Sequence, residues 1–128
     1  MKLNPDCVRT LLLSIEDETT YYNSWDYKSN NPPSSLNRYS PEEVAYHARQ
    51  CALSNLIEEL HVYGNCEHIQ IKDLTPQGHE FLANIREHSV WSKTKSIASI
   101  VGSKSLSTLV QISAAVITEL VKCNLGLT

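Results

Sequence analysis

Apolar positions recur at helical spacing in five stretches of this chain and alternate in a pair of short segments between the second and third. Val8, Leu11, Leu12 and Ile15 fall at i, i+3, i+4 and i+7, which predicts a first helix with one apolar face. Asn4 caps it, Pro5 takes its first position and Asp6 suits the positive end of its dipole. Glu16-Asp17-Glu18-Thr19-Thr20 ends it. The second helix opens on Ser40-Pro41-Glu42-Glu43, a capping box with proline just inside. Val44, Ala48, Cys51 and Asn55 gather on one of its sides with His47 flanking; Tyr46, Arg49, Gln50 and Leu53 occupy the other. Asn55 suits the left-handed end of the helix.

Ile57–Tyr63 and His68–Lys72 alternate as two strands, with Gly64-Asn65 as their turn. Thr75 and Pro76 then open a third helix whose inner face is Gly78, Phe81, Leu82 and Ile85. Glycine inside a helix costs about 1 kcal/mol relative to alanine, so its presence there predicts a close backbone approach. A fourth helix, capped by Ser89, turns Val90, Thr94, Ile97, Ala98 and Val101 inward and stops at Gly102. Ser103 or Ser105 caps a fifth that runs to about Cys123. Its apolar arc, Leu106, Leu109, Val110, Ile112, Val116, Ile117, Leu120 and Val121, is far wider than the roughly 100° needed to lie on one core. Two arrangements cover such an arc: a homodimer through Ile112, Val116 and Leu120, or a central helix wrapped by its own chain. Between the first two helices, Tyr21–Tyr27 could form a short edge strand, and Asn30–Ser35, with two prolines, reads as a loop.

The order helix, hairpin, helix between Tyr39 and Arg86 is the layout of a winged helix-turn-helix. The expected fold class is therefore α+β, mainly helical: a winged helix-turn-helix-like domain with a β-hairpin wing and two C-terminal helices. One domain spans residues 1–128, its core about 4–88 and its helical extension about 89–124.

Composition narrows the function. A net charge of −3 argues against a protein held on nucleic acid by bulk charge. The charge is uneven, with no acid from His88 to Thr118 while Lys93, Lys95 and Lys104 fall there. Cys7, Cys51, Cys66 and Cys123 lack metal or redox spacing and read as reduced thiols of a cytoplasmic protein. No signal-peptide pattern opens the chain, no uninterrupted apolar run reaches about 18 residues, and no membrane contact is expected. The five histidines form no HExxH, and there is no GxSxG, Walker loop or GxGxxG. Cys66 and His68 supply only two ligands near a hairpin tip, too few for a metal. No catalytic residue, metal or cofactor is expected.

Met1-Lys2-Leu3-Asn4-Pro5-Asp6-Cys7-Val8-Arg9, Tyr39-Ser40-Pro41-Glu42-Glu43-Val44 with Tyr46-His47, Leu56-Ile57, Ile71-Lys72-Asp73-Leu74-Thr75, Gly78-His79-Glu80-Phe81-Leu82, Ile85-Arg86 and Val90-Trp91 together resemble domain-of-unknown-function family 2513. That family occurs in bacteria, phages and mobile elements, and the resemblance implies context rather than an activity. Leu74-Thr75-x-x-Gly78-x-x-Phe81-Leu82 also resembles the strand-to-helix junction of winged-helix regulators of the multiple-antibiotic-resistance type. The chain departs from those regulators at Ala48, Cys51 and Asn55, and no separate helix is legible before Ser40.

Two non-enzymatic functions follow. In the first, a DNA-binding or regulatory protein sets Arg38, Arg49 and Gln50 against bases and phosphates of double-stranded DNA, with Lys93 and Lys95 on the backbone. In the alternative, Tyr46, Leu53 and the Tyr21–Tyr27 stretch make an interaction module for a host or phage protein.

Overall fold

The computed structural model describes residues 1–126. Five helices and one three-stranded sheet follow in the order α1 (Pro5–Glu18), β1 (Trp25–Lys28), a 3-10 turn (Ser34–Leu36), α2 (Pro41–Leu53), β2 (Ile57–Tyr63), β3 (His68–Leu74), α3 (Pro76–Ile85), α4 (His88–Val101) and α5 (Leu106–Leu125). The fold is mixed α+β and mainly helical.

Local chemistry sets most helix starts. Asn4 accepts the amides of Asp6 and Cys7. Ser40 accepts the Glu43 amide while Glu43 accepts that of Ser40, so the capping box closes at 3.1 Å both ways. Thr75 and Ser105 cap α3 and α5. α4 differs from expectation: Glu87, not Ser89, stands at its N-cap, without a side-chain bond. Gly102 ends it in the left-handed region.

The sheet is antiparallel in the order β1-β3-β2. Trp25 faces Ile71 and Tyr27 faces Ile69, and all four are buried. The two aromatic rings stack at 5.9 Å, and the Trp25 indole donates to Ser14 on α1 at 2.9 Å. At Glu59 (φ +55) the pairing of β2 with β3 lapses for one residue and resumes in register at Leu60. The hairpin turn places Gly64 and Cys66 at positive φ.

The supposed loop at 30–35 ends in the 3-10 turn, whose Leu36 is wholly buried and packs by α1. Periodicity could not show it, because three residues make only one turn. α1 is the hub, touching α2, α3, the 3-10 turn and β3. Arg9 on α1 donates from Nε to the Ile85 carbonyl (2.9 Å) and from a terminal nitrogen to that of Arg86 (2.6 Å). It thus caps the end of α3, whose own last turn has no cation.

A close joint links α2, β2 and α3. The Thr75 amide donates to the Leu56 carbonyl at 3.0 Å, and its hydroxyl donates to the Asn55 carbonyl at 2.6 Å. The same hydroxyl oxygen accepts the Gly78 amide. A Cβ on Gly78 would lie 2.0 Å from the Leu56 carbonyl oxygen, so only glycine fits. Asn55 adopts φ +59 and is exposed just past α2, outside the buried cluster in which its spacing had put it.

α4 and α5 form a hairpin against α3. α4 buries Val90, Trp91, Thr94 and Ala98, whereas Val101, expected inside, is exposed at the helix end. α5 buries Leu106, Leu109, Ser113 and Val116 and extends two residues past the expected end. Leu120, Val121 and Leu125 lie open to solvent. By length and composition alone α5 is long and apolar enough to cross a membrane.

Candidate functional site

The outer face of α2 is the candidate site. Its capping box and Val44, Ala48 and Cys51, all buried, orient the helix on α1 and β2. His47 is buried too, rather than flanking. Its Nδ1–H donates to the Glu43 carbonyl at 2.7 Å and its Nε2 accepts the Asn4 amide at 2.8 Å. The imidazole is thereby a neutral bridge from α2 to the cap of α1, with both nitrogens engaged.

Of the sequence candidates, Tyr46, Arg49, Gln50 and Leu53 come together on this face. Tyr46 and Gln50 are half-buried, Tyr46 stacking on His47 at 5.0 Å. Arg49 is exposed and has no ion pair among the described residues. Leu53 is 72 % exposed at the end of the helix. Arg38 lies elsewhere, with its guanidinium 5.0 Å from the Tyr39 ring and its charge acting on Asp6 and Cys7.

Lys93 and Lys95 do not share a face. Lys95 is 2.9 Å from Asp6 and lies over the Trp91 ring. Lys93 borders a groove with Val90, Val116 and Leu120. Lys95 is therefore neutralised within the chain and is not a free phosphate contact. Burial would raise the Asp6 carboxyl, but hydrogen bonds from Lys95 and Trp91, with the charges of Lys95 and Arg38, hold it below its ordinary range.

The proposed oligomer residues also divide. Val116 is 5 % exposed, covered by its own chain. Ile112 is half-buried against the core, and only Leu120 is open. Val116 thus belongs to the internal packing of α5 and not to a free outer surface.

The aromatic stretch splits as β1 dictates. Trp25 and Tyr27 point inward, while Tyr21 and Tyr22, before the strand, are 93 % and 90 % exposed and meet edge to face at 5.2 Å. Sequence reasoning missed the buried Trp91, the Arg9 cap and the His47 bridge. Only the place of Trp91 three residues before Thr94 and seven before Ala98, on their side of the helix, could have signalled the first.

At the hairpin, His68 pairs with Asp26 of β1 at 2.9 Å rather than with Cys66, and its ring lies 5.3 Å from that of Tyr63. Among the described residues no group of three His, Cys, Asp or Glu side chains could hold a metal ion. Burial pushes the thiols of Cys7 and Cys51 up to about 12, which leaves them unreactive packing groups.

A protein of Haemophilus influenzae that bears the name "Uncharacterized protein" is 28 % identical over 123 residues, 94 % of this chain and 98 % of its own length. No solved structure matches the chain. Residues 2–104, from the start of the chain through α4, match the family described as "Hypothetical protein (DUF2513)". The chain belongs to the DUF2513 family.

Proposed function

We propose that this chain is a non-enzymatic, winged-helix-like regulatory protein that docks a protein partner on the outer face of α2. The winged-helix reading rests on topology. α1, β1, the 3-10 turn, α2 and the β2–β3 hairpin follow in that order, with β3 between β1 and β2. The turn at Ser34–Leu36 takes the place of the short helix that ordinarily precedes a recognition helix.

Charge favours a protein partner in this reading. Across α2 and the hairpin there are six acids, Glu42, Glu43, Glu58, Glu59, Glu67 and Asp73, against two bases, Arg49 and Lys72. Lys72 is itself 3.6 Å from Glu59. Duplex DNA carries a phosphate charge about every 1.7 Å along its axis and repels such a surface. Leu53, 72 % exposed, shares the outer side of α2 with Tyr46, and that apolar pair instead suits a protein with an apolar socket and a basic rim. The exposed Leu53 is the observation that carries this reading.

Double-stranded DNA is the second reading, favoured by Arg49 and Gln50, whose chemistry fits guanine and adenine edges. One pair of experiments separates the two. A protein partner should co-purify in stoichiometric amount with the wild type and be lost with Leu53→Asp while the circular dichroism spectrum is unchanged. A DNA binder should retard duplex DNA at low salt, weaken as salt rises and lose affinity about tenfold with Arg49→Ala. Retardation with that salt dependence, and no partner sensitive to Leu53→Asp, would reverse the order of the readings.

A further inference from the structure

The acid-free stretch from His88 to Thr118 supplies two lysines that α2 does not use. Lys95 and Lys104 line a cleft of about 610 Å³ where the start of the chain meets α4 and the first turn of α5. Lys2 lines it from the N-terminal arm. Its apolar walls include Leu3, Pro5, Ala98 and Leu109.

Two carboxylates also line the cleft, and both are already engaged. Asp6 binds Lys95 at 2.9 Å and the Trp91 indole at 2.9 Å, and Glu43 closes the capping box of α2. Lys2 and Lys104 have no carboxylate within ion-pair distance among the described residues. The lining thus carries three lysines against two carboxylates, a net positive charge beside apolar surface in a chain whose net charge is −3. Its volume falls inside the range of about 300–1,000 Å³ typical of small-molecule sites.

We propose that this cleft binds a small anion with an apolar body, its acid group between Lys2 and Lys104 and its body against Leu3, Ala98 and Leu109. Lys95 is paired with Asp6 and takes no part in the contact. The site touches α2 at two points, through Glu43 in its wall and through Asn4, whose amide donates to His47. A bound anion would tie α4, α5 and the N-terminal arm together beside the helix assigned to partner docking. The proposal rests on the cleft alone and stands whichever macromolecule α2 meets.

Benzoate and benzylamine are the probes, since they share a ring and differ in the sign of the charge. Titrated into uniformly ¹⁵N-labelled full-length protein, benzoate should give saturable shifts at the amides of Leu3, Asp6, Ser99 and Lys104, and benzylamine should not. Lys2→Glu with Lys104→Glu, both at exposed positions, should weaken benzoate at least about tenfold, or 1.4 kcal/mol, and leave the thermal midpoint unchanged. Equal shifts from both probes, no shifts at these amides up to tens of millimolar, or undiminished affinity in the double variant would each overturn the proposal.

Discussion

The joint of α2, β2 and α3 and the far half of α5 are opposites. The joint is built from polar groups and a glycine: Asn55, Leu56, Thr75 and Gly78 meet through backbone carbonyls, one hydroxyl and a missing Cβ. It nonetheless brings backbone so close that a Cβ on Gly78 would lie 2.0 Å from the Leu56 carbonyl oxygen. α5 is rich in apolar residues, yet past Val116 its Leu120, Val121 and Leu125 lie open. Hydrophobicity alone did not say where chain would be tight. Steric exclusion at Gly78 constrains geometry within tenths of an ångström, whereas an apolar residue asks only for some cover.

Two substitutions five residues apart on α5 sharpen the contrast. Val116→Glu buries a carboxylate beneath α4 and should cost on the order of 4 kcal/mol, enough to unfold a marginal domain, as urea denaturation would read out. Val121→Glu meets solvent and should change monomer stability by no more than about 0.5 kcal/mol. If a second copy covers that half of α5, light scattering gives twice the chain mass for the wild type and the single mass for Val121→Glu. A wild type at single mass removes the homodimer. Val116→Glu cannot serve that test, because it breaks the fold first.

At the joint, Gly78→Ala gains about 1 kcal/mol of helix propensity and collides with the Leu56 carbonyl. The collision should win, with a net loss on the order of 3 kcal/mol and a thermal midpoint lower by roughly 10 °C. A neutral or stabilised variant would mean that α3 can slide along β2 and that the joint is not tight.

A smaller effect comes from acid. The Arg86 hydrogen bond lowers the Glu16 carboxyl despite partial burial, and the Asp6 carboxyl is lowered as well. For groups depressed in the folded state, the added stability is complete above the ordinary carboxylate range. It is lost as pH falls through the depressed values. The thermal midpoint should therefore hold near neutrality and drop below the ordinary carboxylate range, and Asp6→Asn with Glu16→Gln should flatten that drop. Because these pairs are half-exposed, salt should shrink the effect as well.

Much of the architecture was legible in the residues. Asn4, Ser40, Thr75 and Ser105 cap neighbours two or three positions on, so their signal is complete within one turn. Gly64, Gly78 and Gly102 likewise announced a turn, an approach and a stop. The α2 outer face followed from helical angle alone, which is why Tyr46, Arg49, Gln50 and Leu53 do sit together. What the helix angle could not show was which neighbouring charges survive folding. Lys95 reads as a free cation in the sequence, yet Asp6, 89 positions away, holds it in the fold.

The sequence by itself determined where most helices begin and which face of most turns inward, because caps and periodicity act over a few residues; the start of α4 at Glu87 and the exposure of Asn55 and Val101 are the exceptions. Only the tertiary structure decided that β1 lies beside β3, that Leu36 is buried in a single turn and that Arg9 caps α3. It also decided that His47 bridges to Asn4 and that half of an apolar helix stays uncovered. These depend on partners tens of residues apart, and nothing in the local pattern of either partner names the other. The cleft between the N-terminal arm, α4 and α5 is of the second kind: its lysines were in plain view, but the walls that make them a site exist only once the chain has folded.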